Sequence, residues 1–137
     1  MRRSSGRSQI AIDASALVEL LLRTPAGVAI AGIVANAELV APEVINPEVV
    51  QSLRSLERGG KLSEGRAAKA VARLTESAVT RVPTTGLIDE VWSLRANVSA
   101  YDGCYVALAR ALDCPLLTTD ARLRRAPALG VSFLTVA

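Results

Sequence analysis

Histidine is absent from the 137 residues, and the absence excludes whole mechanisms. Ser-His-Asp and Cys-His nucleophilic catalysis, imidazole acid–base ribonuclease chemistry and His-containing zinc sites all need the missing ring. Cys104 and Cys114, ten residues apart, match neither a zinc spacing nor a redox CxxC. They read as buried or half-buried free thiols of a reducing cytoplasm. No apolar run approaches the ~20 residues of a membrane span. The basic start Met1-Arg2-Arg3 resembles a signal n-region, but Asp13 and Glu19 interrupt any apolar core after it. Residues 1–8 are therefore expected to form a flexible basic tail, and 9–137 a single domain, without membrane contact.

Half of the residues are apolar, and the mean hydropathy of +0.33 is high for a small soluble monomer. Such a surface points to a partner, either a second copy or a peptide. The net charge is +3 and the pI near 9.3. Apart from Lys61 and Lys69 the basic residues are all Arg, so an anionic ligand is compatible with the charge but is not established by it.

Short apolar runs alternate with helical patterns along the chain. Gln9 to Ile12 reads as a buried strand feeding a helix over 14–22. Thr24-Pro25 is a cap followed by Pro at the first helical position, opening a helix to about Asn36. A strand follows over 38–41, and Asn46-Pro47 repeats the cap-then-Pro signal for a helix to Glu57 with Val49, Leu53 and Leu56 inward. Ser63 caps a helix over 64–77, with Ala67, Val71 and Leu74 inward and Arg66, Lys69 and Arg73 outward. Further strands are expected over 79–83, 114–118 and 131–136, with helices over 84–96, from Ser99 to near Asp113, and over 120–125. On the Ser99 helix Tyr101, Tyr105, Leu108 and Leu112 form one stripe at core spacing. Strands separated by helices of ten or more residues define an α/β fold: a three-layer α/β/α sandwich around a mainly parallel sheet of about five strands.

Ligands of such open sheets bind outside the carboxyl ends of the strands. Asp13 directly follows the first strand and Asp120 the fourth, while Asp102 and Glu48 lie in the first turns of their helices. Each has an ordinary explanation as an N-cap or as an acid favoured by the helix dipole. Together they place acids from separate segments at one edge, where mutual repulsion raises their pKa values unless a cation intervenes. Hard oxygen donors without His or Cys select Mg²⁺ or Mn²⁺, and the chemistry that suits them is metal-assisted phosphodiester hydrolysis. Glu43, in Pro42-Glu43, competes with Glu48 as the acid that enters the site; Glu48 is preferred because it begins the longer amphipathic helix.

Ile10-Ala11-Ile12-Asp13-Ala14-Ser15-Ala16-Leu17, Pro42-Glu43 with Glu48-Val49 and Leu53-Arg54, Ser99-Ala100-Tyr101-Asp102-Gly103 running into Tyr105-Val106-Ala107-Leu108-Ala109, and Pro115-Leu116-Leu117-Thr118-Thr119-Asp120 resemble, in order and spacing, the PIN-domain nucleases. Within them the chain looks like the VapC toxins of bacterial toxin–antitoxin pairs. The resemblance runs from about residue 9 to the end. It implies a Mg²⁺- or Mn²⁺-dependent endoribonuclease that inhibits growth by cutting structured RNA, with Asp13, Glu48, Asp102 and Asp120 at the family's acidic positions. Ser15 and Thr118 fall where the family often carries a hydroxyl near the metal-binding acids. A homodimer and a VapB-type antitoxin partner are also implied. Pro47 before Glu48, and Gly103 where Ala is more usual, depart from the pattern.

Other classes fit less well. A haloacid dehalogenase-type phosphatase wants Asp at position 15, where Ser stands, and a phosphoacceptor receiver wants a late Lys. No nucleotide-cradling glycine loop occurs. The alternative that stands is a non-catalytic PIN-like module that binds RNA or an antitoxin without cutting. Trp92, Tyr101, Tyr105 and Phe133 are the whole aromatic set, and with both tyrosines on the expected core stripe no stacking platform is foreseen. RNA contact falls instead to Arg95, Arg122, Arg124 and Arg125, with Arg2, Arg3 and Arg7 of the tail.

Overall fold

A computed structural model describes residues 7–136. The strands are β1 (Ser8–Ile12), β2 (Ala37–Pro42), β3 (Thr80–Val82), β4 (Leu116–Leu117) and β5 (Phe133–Leu134), in one parallel sheet of order β3-β2-β1-β4-β5. The helices are α1 (Ala14–Leu22), α2 (Pro25–Val34), α3 (Ile45–Arg58), α4 (Glu64–Glu76), α5 (Ile88–Ser93), α6 (Ala100–Leu112) and α7 (Ala121–Arg124). Consecutive Ile10, Ala11 and Ile12 are all buried, as a strand covered by helices on both faces requires. On one side α1 packs with α2, α3 and α4; α6 lies on β1, β2 and β4 with α5 against it. The expected three-layer α/β fold is the one observed.

The strand order sets the functional edge. From β1 the chain moves outward through β2 to β3, then crosses to β4 and β5 on the other side of β1. Between β1 and β4 the order reverses, and the crevice beyond the carboxyl ends at such a reversal is where open α/β sheets bind ligands. Asp13 leaves β1 there, and Thr118 to Asp120 leave β4 there.

Local chemistry explains the helix ends. Asp13, Thr24, Ser63, Ser99 and Asp120 each accept a backbone N–H of the first turn of α1, α2, α4, α6 and α7. α1 and α2 approach closely at Gly27, where a Cβ would lie 2.0 Å from the Glu19 carbonyl oxygen.

Several expectations are corrected. Asn46 does not cap α3: the helix begins at Ile45 after Val44 without a side-chain cap. Pro47 is then the third helical residue, whose missing N–H would have had no intrahelical acceptor. Arg66 and Arg73 do not point simply outward; they donate to the carbonyls of Leu22 and Leu21 at 3.0 and 2.7 Å, filling acceptors that the end of α1 leaves open. Val71 is exposed and Ala70 is buried instead. The helix foreseen over 84–96 is a 3₁₀ turn, Thr85–Leu87, followed by α5. The last strand keeps only Phe133–Leu134, because β4 offers two residues to pair with. On α6 the stripe is buried at Tyr105 and Leu108, but Tyr101 and Leu112 in the end turns are exposed. Of the tail expected over residues 1–8, residues 1–6 lie outside the described residues; Arg7 is described and Ser8 opens β1.

Candidate functional site

Asp13 is the most buried acid of the chain's carboxyl edge, 5% exposed, and its carboxylate joins β1 to β4. Oδ1 accepts from the Ala16 amide at 3.0 Å and the Ser15 hydroxyl at 2.7 Å; Oδ2 accepts from the Thr118 hydroxyl. Ser15 Oγ in turn accepts from the Thr119 amide at 3.1 Å, and Thr118 Oγ1 from the Asp120 amide at 3.0 Å. The two hydroxyl oxygens lie 3.3 Å apart. Burial pushes the Asp13 carboxyl above the ordinary range and Asp102 adds to the rise, while Thr118, Ser15 and the Ala16 amide draw it back. Among the described residues no Lys or Arg pairs with it.

Glu48 approaches from the first turn of α3. It is half-buried, and the Tyr105 hydroxyl donates to its Oε1 at 2.6 Å. Burial raises its carboxyl, Tyr105 lowers it, and Asp102 and Asp13 raise it further. Glu43, by contrast, is exposed, and among the described residues its side chain meets only the Asn46 amide group, at 3.4 Å. Of the two glutamates, Glu48 is the one that shares a field with the aspartates.

Asp102 sits in the first turn of α6, its amide donating to the capping Ser99 hydroxyl at 3.2 Å. Burial raises its carboxyl, Arg122 lowers it, and Asp120 raises it. Asp120 caps α7 and accepts the amides of Arg122 and Leu123 at 2.9 and 3.4 Å. The Arg122 guanidinium lies between the two acids, with Nη2 at 3.6 Å from Asp102 Oδ2 and 3.3 Å from Asp120 Oδ2.

The four acids therefore meet at one edge, coupled by charge. Among the described residues no three are gathered tightly enough to ligate one ion as they stand. Their chemistry nonetheless suits a hard divalent cation. Oxygen donors form the whole set, and a carboxylate as buried as Asp13 with no cation beside it is a charge that proteins otherwise pair or give to a metal.

Tyr105 belongs to the site although helical periodicity predicts it only for the core stripe. Its signal was available: a Tyr on an Ala- and Leu-rich buried helix needs a partner for its hydroxyl, and Asp102 is three positions before it on α6. Of the arginines, Arg122 is engaged by the acids. Arg95 stacks over Trp92, 4.2 Å from the ring centroid, Arg124 is half-buried and Arg125 exposed. Arg7 stands at the amino end of β1, the opposite edge from Asp13, and Arg2 and Arg3 lie outside the described residues.

Residues 10–129 match the PIN domain family. The chain is 40% identical over 114 residues to VapC ribonuclease Mb0985 of Mycobacterium bovis, covering 83% of this chain and 87% of that one. Its fold is similar to VapBC2 from Rickettsia felis bound to a DNA fragment from its promoter, with a TM-score of 0.66 at 11% identity over 93% of this chain and 98% of that one. It is also similar to Mycobacterium tuberculosis VapC20, a sarcin-ricin loop cleaving toxin, with a TM-score of 0.61 at 19% identity over 84% of this chain and 92% of that one. The chain belongs to the PIN domain family, and relatives at this level of identity include VapC ribonucleases. Among the described residues no single helix is long and apolar enough to cross a membrane.

Proposed function

We propose that the chain is a toxin endoribonuclease of the VapC type, that it depends on Mg²⁺ or Mn²⁺, and that Asp13, Glu48, Asp102 and Asp120 are its metal-holding and catalytic acids. The observation that carries the reading is the buried Asp13 carboxylate at the sheet's reversal point, held at both oxygens by hydroxyl and amide donors, with no Lys or Arg against it among the described residues, and facing the fields of Asp102 and Glu48. The similarity to VapC ribonuclease Mb0985 supports RNA as the polymer.

When bound, a divalent ion supplies charge for the phosphate oxygens and makes water nucleophilic at neutral pH. The chain's own part is positioning. Ser15 and Thr118 fix the Asp13 carboxylate by donating to its two oxygens. Tyr105 holds Glu48 Oε1 and leaves Oε2 free to orient the attacking water. Asp102 and Asp120 complete the oxygen set, and Arg122 neutralises part of their charge. With no imidazole present, proton transfer falls to these carboxylates and to water.

A cytoplasmic toxin of this kind would be kept inactive by a VapB-type antitoxin and would act as a homodimer. Similarity in fold to VapBC2 and the exposed apolar Val28, Ile33, Val50 and Trp92 favour protein partners. Structured RNA is the substrate class. The test is incubation of the purified chain with total bacterial RNA in Mg²⁺ or Mn²⁺, beside EDTA and the variants Asp13→Asn and Asp102→Asn. Discrete cuts that need the ion and both acids are expected. RNA bound but left intact by the wild-type chain would favour the non-catalytic alternative.

A further inference from the structure

Tyr101 is 59% exposed, and among the described residues its side chain has neither a hydrogen bond nor a ring contact. The chain's other aromatic rings are occupied. Tyr105 is buried and donates to Glu48, Phe133 packs half-buried against the core, and Trp92 carries the Arg95 guanidinium 4.2 Å from its centroid. A lone exposed apolar residue is ordinary on a protein surface; what gives Tyr101 a use is its place.

Helix α6 lies on β1, β2 and β4, with Tyr105 and Leu108 buried on its inward face. Tyr101 continues that face one turn toward the amino end, roughly 5–6 Å further along, and helical side chains lean toward the amino end of their helix. The strands stop at Ile12, Pro42 and Leu117. The face therefore runs past them, and Tyr101 overhangs the crevice instead of the sheet, which accounts for its exposure. Behind it Tyr105 reaches Glu48 at 2.6 Å; beside it Asp102 shares the fields of Asp13 and Asp120. An open aromatic face borders the acid cluster.

Resting on the endoribonuclease reading above, we propose that Tyr101 binds the substrate directly, its ring stacking on the base of a nucleotide adjoining the scissile phosphate and so holding that phosphate among the acids. Clustered carboxylates repel a phosphate, and the cation nearest them, Arg122, is shared by Asp102 and Asp120. Stacking supplies an attraction at this edge that needs no charge. Every base has a π-face, so the ring fixes where the RNA lies and leaves sequence to other contacts.

The test is steady-state cleavage, in Mn²⁺, of a synthetic RNA spanning one cut mapped in total bacterial RNA. Tyr101→Ala is expected to raise KM about 10-fold, the lower part of what one base stacked on an aromatic ring contributes. The value of kcat stays unchanged, because ground and transition states share the stack. Tyr101→Phe and Tyr101→Trp keep the wild-type KM; Tyr101→Leu, apolar but without a π-face, does not. Among RNAs lacking one base at a time around the cut, one position costs the wild-type chain a similar factor and costs Tyr101→Ala nothing. The same RNAs, labelled and titrated in EDTA, give binding directly by fluorescence polarisation, with Kd following KM across the variants. The rise of Tm with Mn²⁺ is the same in Tyr101→Ala as in wild type, since the ring holds no ion. A KM unchanged in Tyr101→Ala, a KM restored by Leu, or base deletions that cost both chains alike would overturn the proposal while leaving the endoribonuclease reading intact. An unchanged KM would also assign the ring to a protein partner. A Mn²⁺ response lost with the ring would overturn the proposal by making Tyr101 a support of Asp102. A wild-type chain that binds the RNA with the expected dependence on Tyr101 and on the deleted base, yet cuts nothing, would instead overturn the endoribonuclease reading alone.

Discussion

Replacing Tyr105 by Phe removes one oxygen atom from the middle of α6 and leaves a ring of nearly the same shape in a site 1% exposed. The lost contact is the 2.6 Å hydrogen bond to Glu48 Oε1. A bond to a charged acceptor contributes about 1.5–3 kcal/mol, but Glu48 is half-buried, so water replaces part of it and a loss of about 1–2 kcal/mol is expected. For a chain of this length that is a fall in Tm of roughly 3–7 °C. Calorimetry of the two proteins at neutral pH measures it. The same bond favours the charged form of Glu48, so Tyr105→Phe moves this carboxyl further above its ordinary value. The variant should consequently bind Mn²⁺ more weakly than wild type as the pH is lowered from neutrality. In the background of Glu48→Gln the additional effect of Tyr105→Phe on Tm should shrink. An unchanged Tm, or equal effects in both backgrounds, would show that Tyr105 is a core residue and nothing more.

Asp13, Glu48 and Asp102 all have carboxyls raised above their ordinary values by burial. Where a native pKa exceeds the unfolded one the native state binds more protons, so stability falls as pH rises from the ordinary carboxylate range through the native values. In EDTA the Tm should therefore decline from weakly acidic to neutral pH, and thermal scans in which it rises over that interval would contradict the shifts. Mutation of Gly27 to Ala drives a Cβ to 2.0 Å from the Glu19 carbonyl and forces α2 off α1; a loss of about 3 kcal/mol in urea unfolding is expected. Removing Arg122 with Arg122→Ala takes a cation from between Asp102 and Asp120. Since the side chain is largely exposed, Mn²⁺ affinity measured by calorimetric titration should rise by at most about 5-fold.

What could be read in the sequence was local. Asp13, Thr24, Ser63, Ser99 and Asp120 announce their helices because a capping side chain acts within three residues. The alternation of strands and helices implied a parallel sheet and, through it, an edge where the acids of separate segments meet. What could not be read depends on contacts across the fold. Asn46 looks like a cap, yet its Oδ1 accepts from Arg81 Nε at 3.1 Å, a partner 35 positions away. Arg81 also donates to the Leu74, Ser77 and Val79 carbonyls, tying the end of α4 to the start of α3. Tyr101 and Tyr105 share one helical stripe, but only the second lies over the sheet and only the second reaches Glu48. Periodicity identifies the face and not how far along it the neighbour extends.

The most direct test of the central claim is the dependence of RNA cleavage on Mn²⁺ concentration, set beside the dependence of Tm on the same ion. If the carboxylates around Asp13 hold the ion that drives cleavage, the rate is zero in EDTA, rises to saturation on adding Mn²⁺, and is half-maximal at the concentration obtained from the Tm shift extrapolated to the assay temperature. Asp13→Asn loses both responses together. Cleavage that persists in EDTA, or that survives Asp13→Asn with its Mn²⁺ dependence unchanged, would contradict it.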